Sequence, residues 1–87
     1  MELNYDTLNA KICVMCAEAA MVDYIYENQG AEARRLDYNA AAKAMNCSRR
    51  TVGRYLKSLV AHGVVKLVNM GDKWAVKLNP EILKEED

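Results

Sequence analysis

The residues of this sequence best suited to chemistry are cations, and they recur at helical spacing just after residue 48. Arg50, Arg54 and Lys57 are three and four positions apart, which places them on one face of a helix, with Gly53 beside them. An arginine on a free helix face can donate two hydrogen bonds to O6 and N7 of guanine in the major groove of DNA. The spacing predicts Arg50 and Arg54 as base-contacting residues, and Gly53 as the point of closest backbone approach.

A second set of residues suits the phosphate backbone. Hydroxyl groups and free N–H groups at the start of a helix bind phosphate oxygens, and exposed lysines add salt-dependent attraction without reading the bases. The residues predicted to contact phosphate are Ser48, Arg49, Thr51, Lys57, Lys43, Lys66, Lys73 and Asn69. These residues position a duplex, whereas the two arginines distinguish its sequence.

The distribution of charge supports a polyanionic partner although the net charge of the 87 residues is zero. Residues 34–78 hold ten Lys and Arg against two Asp, a net charge of +8. Residues 1–33 carry −5 and residues 79–87 carry −3. A basic patch attracts phosphate even when the whole chain is neutral. A basic helix face that is merely solvated is the alternative interpretation.

No catalytic constellation is evident, and the chain is predicted not to be an enzyme. It has one histidine, no phosphate-cradling glycine loop and no motif of paired carboxylates. No cofactor and no small-molecule substrate are indicated. Cys13 and Cys16 have a spacing that can chelate zinc, but only Cys47 and His62 remain to complete four ligands, so no metal site is predicted. A disulfide between subunits is a second alternative, and reduced, buried thiols are the simplest reading.

The elements that position the cations follow from capping and turn signals. Residues 37–62 are predicted to form two helices around a tight turn: Asp37 caps the first, Asn46 makes the turn, Ser48 caps the second and Gly63 stops it. Residues 64–78 predict a β-hairpin with its turn at 69–72, and residues 80–84 a short helix that begins at a proline.

The predicted helix that carries Arg50 and Arg54 also has an apolar face. Val52, Leu56 and Leu59 share the opposite side with Tyr55, so one face packs and the other is free. Trp74 and the tyrosines are expected to pack in the core or against the hairpin rather than to stack on bases.

Residues 7–29 lack proline and glycine and are predicted to form one long helix, capped by Asp6 and ended by Gly30. Apolar residues form two seams along it. One seam holds Leu8, Ile12, Met15, Ala19, Val22 and Tyr26. The other holds Ala10, Val14, Ala17, Met21 and Ile25. Because so short a chain has few residues left to cover both, the second seam is predicted to form a homodimer interface. In the alternative, the chain itself covers both seams.

The stretch from Leu36 to Val65, LDYNAAAKAMNCSRRTVGRYLKSLVAHGVV, resembles the winged helix-turn-helix family of transcription regulators and replication initiators. With the hairpin, the resemblance covers residues 36–78. Asn46 stands where the family usually has glycine, and Ala41 where it has a larger aliphatic residue. The resemblance implies a mainly α fold with the hairpin as its wing, and a chain of 87 residues has room for one domain, so residues 1–87 are expected to form a single unit.

These observations predict a sequence-specific binder of double-stranded DNA that acts as a homodimeric transcriptional regulator, with two recognition helices about 34 Å apart. A winged-helix module that binds proteins, or an accessory protein of replication initiation, is the alternative. No signal peptide and no membrane-spanning run is apparent, so a cytoplasmic location is expected: nucleoid-associated, or the host cytoplasm if the source is viral.

Overall fold

In a computed structural model, residues 2–12 and 17–84 are described, and they form a mainly helical fold with two small antiparallel sheets. The helices are α1 (Tyr5–Lys11), α2 (Ala17–Gln29), α3 (Tyr38–Met45) and α4 (Arg49–Ala61). The strands are β1 (Glu2–Leu3), β2 (Val65–Asn69), β3 (Trp74–Leu78) and β4 (Leu83–Lys84), with a 3₁₀ turn at Pro80–Ile82. β1 pairs with β4, and β2 with β3.

The two helices predicted over residues 37–62 are confirmed, together with their caps. The Asp37 carboxylate accepts a hydrogen bond from the backbone N–H of Ala40, and the Ser48 hydroxyl accepts one from that of Thr51, both at 3.1 Å. Asn46 ends α3 in the left-handed region, with φ 53°. A short side-chain amide tolerates that conformation, which explains how the turn forms without glycine. Gly63, with φ 74°, follows the end of α4.

The predicted hairpin is also confirmed, with its turn one residue later than expected. Met70 donates a backbone hydrogen bond to the carbonyl of Lys73 at 2.8 Å, so Gly71 and Asp72 form a two-residue loop. Gly71 adopts φ 89°, which suits the first position of such a loop. Arg34 exchanges two backbone hydrogen bonds with Val76, which ties the segment before α3 to the outer edge of β3.

The long helix predicted over residues 7–29 is wrong as a single element. α1 ends at Lys11, because Ile12 is extended at φ −142° and ψ 162°, and α2 begins at Ala17. The cap of α1 is Asn4, whose side chain accepts from the N–H of Thr7, rather than Asp6. Ending α1 here lets both helices bury apolar residues in one core. α1 contacts the 3₁₀ turn, while α2 packs against α3, α4 and β3.

The short helix predicted over residues 80–84 is replaced by the 3₁₀ turn and β4. Asn79 begins the turn by accepting from the N–H of Glu81, and its side-chain amide donates to the Gly63 carbonyl at 2.6 Å. Ile82 is buried, and its carbonyl accepts from the N–H of Asn4. Pairing with β1 satisfies backbone groups that a helix of five residues would leave unpaired at both ends.

Candidate nucleic-acid interface

The α4 helix has the two faces that its sequence predicts. Val52 and Leu59 are fully buried, and Leu56 nearly so, against the core that α2 and α3 share with the hairpin. On its flank, the Ser58 hydroxyl donates to the Glu18 carboxylate of α2 at 2.8 Å. The helix is therefore fixed along its length, and its outward side chains project from a rigid element.

The outward side of α4 is cationic. Arg49, Arg50, Arg54 and Lys57 are all exposed, and we call these four residues the basic surface. No carboxylate of the described residues is in ion-pair contact with them, since the ion pairs there join Lys11 to Glu81 and Arg34 to Glu32. Arg49 donates to Asn39 of α3 at 3.3 Å. Within residues 2–12 and 17–84, an anionic partner could therefore reach the basic surface without breaking an ion pair.

The start of α4 is shaped by hydroxyl groups that were predicted to meet phosphate. The hydroxyls of Ser48 and Thr51 lie 3.0 Å apart, close enough for one to donate to the other, while that of Ser48 also caps the helix. Ser48 is exposed and Thr51 partly so. The positive end of the helix dipole lies at the same place, which favours an anion there.

The other residues predicted to contact phosphate do not all lie near α4. Lys73 and Asn69 are exposed at the tip of the hairpin, and Lys43 is exposed in the last turn of α3. Lys66 pairs with Lys77 near the base of the hairpin. Successive residues of a strand point to opposite faces, so Lys66 points away from the face on which Leu67 approaches α4. Lys66 is exposed, but it lies outside the candidate interface.

An apolar groove runs between α4 and the hairpin, beside the basic surface. Its volume is about 540 Å³, and it is lined by Tyr38, Gly53, Leu56, Lys57, Val60, Leu67 and Trp74. Trp74 does not pack in the core, one of the two places expected for it, because the residue is 61% exposed. Tyr5 and Tyr38 are exposed as well, whereas Tyr24, Tyr26 and Tyr55 pack against the core as expected.

A second cleft, of about 300 Å³, lies on the other side of Trp74. It is lined by Arg35, Met70 and Lys73, together with neighbouring residues of the segment before α3. Arg35 is exposed and in no ion pair within the described part of the chain, whereas its neighbour Arg34 binds Glu32 at 2.7 Å. The sequence pattern did not single out Arg35 as a site residue, although the two adjacent arginines were a signal of positive charge there.

Three acidic residues share a cleft away from α4. Glu2, Asp23 and Glu27 line a cleft formed by β1, α1, α2 and β4, elements that contribute nothing to the basic surface. The Tyr5 hydroxyl donates to the Asp23 carboxylate at 3.3 Å, and the negative charge of that carboxylate raises the pKa of Tyr5. These three carboxylates, with Lys84 also lining their cleft, are therefore held on elements other than α4.

The surface predicted for dimerisation does not exist as one seam. Met21 and Ile25 are fully buried within the chain's own core, and the other seam is buried as well at Leu8 and Val22. Ala10 and Ala17 are exposed, and Val14 lies outside the described residues. The structure therefore supports the alternative, in which the chain itself covers both seams. Ala10 and Ala17 are the exceptions among the described residues of the two seams.

The function of the chain has to be inferred from the basic surface and the apolar groove, because comparison with known proteins gives no match. No family model, curated protein or solved structure matches the chain. Within residues 2–12 and 17–84, no three His, Cys, Asp or Glu side chains are grouped so that they could bind a metal ion. Over the same residues, none of the helices has the length and apolar character needed to cross a membrane.

Gly53 offers a direct test of how closely a ligand approaches α4. A Cβ at this position would lie 3.7 Å from Cε2 of Tyr38, an ordinary contact, so alanine fits without strain. Alanine is favoured over glycine inside a helix by about 1 kcal/mol. We expect Gly53→Ala to raise the free energy of unfolding by up to about that amount and yet to weaken duplex binding. Thermal unfolding and duplex titration measure the two effects.

A matched control is Ala61→Gly, an exposed position at the end of α4, which should lower stability and leave binding unchanged. If Gly53→Ala stabilises the protein and binds duplex as tightly as the parent, close backbone approach at Gly53 is refuted.

Proposed function

We propose that the chain is a sequence-specific binder of double-stranded DNA of the winged helix-turn-helix type, which acts as a transcriptional regulator. The observation that carries the proposal is the row of exposed cations on α4, uncompensated by any carboxylate of the described residues, on a helix whose other face is buried. α4 inserted in a major groove would aim Arg50 and Arg54 at base edges.

The order and pairing of the elements support the winged-helix assignment. α3, a tight turn and α4 are followed at once by the β2–β3 hairpin. The hairpin is anchored at both edges, because α4 contacts β2 while Arg34 bridges to Val76 of β3. A hairpin held beside the second helix of a helix-turn-helix can contact backbone flanking the bases that this helix reads.

The dimensions of α4 suit that role. Its 13 residues span about 20 Å, and the major groove is about 12 Å wide, enough to admit a helix. The basic surface extends from Arg49 in the first turn to Lys57 in the third. A helix docked by its first two turns would place Arg50 and Arg54 over neighbouring base pairs and leave Lys57 for a phosphate.

The test is selection of bound duplexes from a random pool, followed by titration of the preferred duplex at several salt concentrations. We expect affinity to fall steeply as salt rises, because each neutralised phosphate contributes about 0.9 to the slope of log K against log salt concentration. We expect Lys57→Ala to weaken binding to all duplexes alike and to reduce that slope by about 1.

Lys66→Ala is the matched control, since it removes an exposed lysine that lies outside the candidate interface. Its affinity and salt slope should equal those of the parent. An equal effect of both variants would show that the duplex does not lie on α4. If no duplex binds even at low salt, the basic surface is left to an acidic protein, the alternative function that the sequence allows.

The proposal includes a homodimer that binds a two-fold symmetric DNA site. Met21 and Ile25, first assigned to its interface, are buried within the chain and cannot form it. Of the residues first assigned to that interface, Ala10 and Ala17 are exposed and could still lie between two copies. Light scattering of the free protein and of its complex with the selected duplex measures how many copies are present. One copy in both samples would remove the dimer from the proposal and leave DNA binding by α4 intact.

A further inference from the structure

Trp74 is the most exposed large apolar side chain of the described residues and the chain's one tryptophan. It lines the apolar groove on one side and the cleft of Arg35 and Lys73 on the other. Leu67, 47% exposed, and Tyr38 line the groove with it. Exposed apolar side chains with a charged rim make this patch a candidate binding site, because covering apolar area with water is unfavourable.

The rim of the patch identifies the class of ligand. Lys57 lines the groove, and Arg35 and Lys73 line the neighbouring cleft, while no Asp or Glu of the described residues lines either one. A ligand complementary to both features is flat and apolar where it enters the groove and anionic where it leaves. A nucleobase on a phosphate backbone has this character, and stacking on aromatic side chains beside cations is how unpaired strands are bound.

We propose that the apolar groove takes an unpaired base of DNA held on α4, with the base stacked on Trp74. This proposal rests on the proposed function, since Gly53 and Lys57 belong both to the groove and to the α4 helix that would hold the duplex. The protein then prefers DNA in which a paired site adjoins an opened or single-stranded segment. Tyr38 also lines the groove, next to Gly53.

The experiment uses three DNA molecules that share the selected duplex site: one blunt-ended, one with a short single-stranded thymidine extension at each end, and one with the same extensions lacking bases. Fluorescence excited at wavelengths that tyrosine does not absorb reports on Trp74 alone, because the sequence has no other tryptophan. We expect the thymidine extensions to quench this fluorescence and to raise affinity about fivefold or more over the blunt duplex. The abasic extensions should do neither.

Variants separate stacking from charge. Trp74→Ala is expected to bind the blunt duplex as the parent does and to lose the preference for the extended one, while Trp74→Phe keeps part of it. Tyr5→Ala is the matched control, because Tyr5 is 54% exposed but lies in the acidic cleft. It should behave as the parent throughout.

Four results overturn the proposal. Equal quenching and affinity with thymidine and abasic extensions would show that no base enters the groove. A change in fluorescence when protein concentration rises without DNA would assign the groove to a second copy of the chain. Binding to neither blunt nor extended DNA would overturn the base site together with the proposed function, whereas salt-dependent binding to the blunt duplex with no gain from an extension overturns the base site alone.

Discussion

Replacing Arg50 and Arg54 together by alanine is expected to reduce affinity for the preferred duplex to that for unrelated sequences. A bidentate arginine–guanine contact contributes about 1–3 kcal/mol of discrimination, so two contacts correspond to a loss of roughly 30-fold to 10⁴-fold. Both side chains are exposed, while Val52 and Leu59 hold α4 from the other side, so the fold should persist. Competition between preferred and scrambled duplexes, with a thermal unfolding curve, measures both quantities.

Arg50→Lys and Arg54→Lys are the matched controls, because lysine keeps the charge and loses the planar fork that binds guanine. They should keep the salt dependence of the parent and lose sequence preference. A double alanine variant whose affinity falls equally for every duplex would show that these arginines bind phosphate. Unchanged preference would reject α4 as the recognition helix.

The region that carries the basic surface could be predicted because its signals are local. Asp37 and Ser48 each satisfy a free N–H within their own first turn, and Asn46 adopts the left-handed conformation that its short side chain tolerates. Apolar residues at helical spacing then decide which side of α4 is buried. Each of these effects acts within a few residues, so the sequence alone contains them.

The break between α1 and α2 could not be predicted, because nothing local requires it. The segment has neither proline nor glycine, and its apolar residues continue at helical spacing through Ile12. The tertiary structure decides where α1 ends. α1 and the 3₁₀ turn contact each other, and Lys11 binds Glu81 at 3.3 Å, at the far end of the sequence. Contacts between the two ends of the chain override a local preference for helix.

The apolar groove escaped prediction for the same reason. Tyr38, Gly53 and Trp74 are far apart in the sequence and meet only because the hairpin lies against α4. The register of the hairpin also decides which residues face α4: Leu67 does, and its neighbour Lys66 does not. Turn chemistry suggested a hairpin, but the element against which its apolar face packs is a tertiary property.

Met21→Ala is expected to have the largest effect on stability, because Met21 is fully buried within the core. Truncation of a buried methionine to alanine costs about 2–5 kcal/mol, a large part of the 5–15 kcal/mol that stabilises a typical domain. Since the lost contacts are within one chain, the drop in melting temperature should be independent of protein concentration. Thermal unfolding at concentrations that differ by about a hundredfold measures this, where an interface residue would give a concentration-dependent shift.

Ala17→Ser is the matched control, because Ala17 also lies on α2 in the seam assigned by sequence, yet it is exposed. It should melt close to the parent at every concentration. If Met21→Ala melts like the parent when concentrated and much earlier when dilute, Met21 lies between two chains, and α2 is the dimer helix that its spacing of apolar residues first predicted. A drop in melting temperature that is the same at every concentration instead places Met21 in the core that positions α4. Ala10 and Ala17 are then the only described residues of that seam that a second copy could contact.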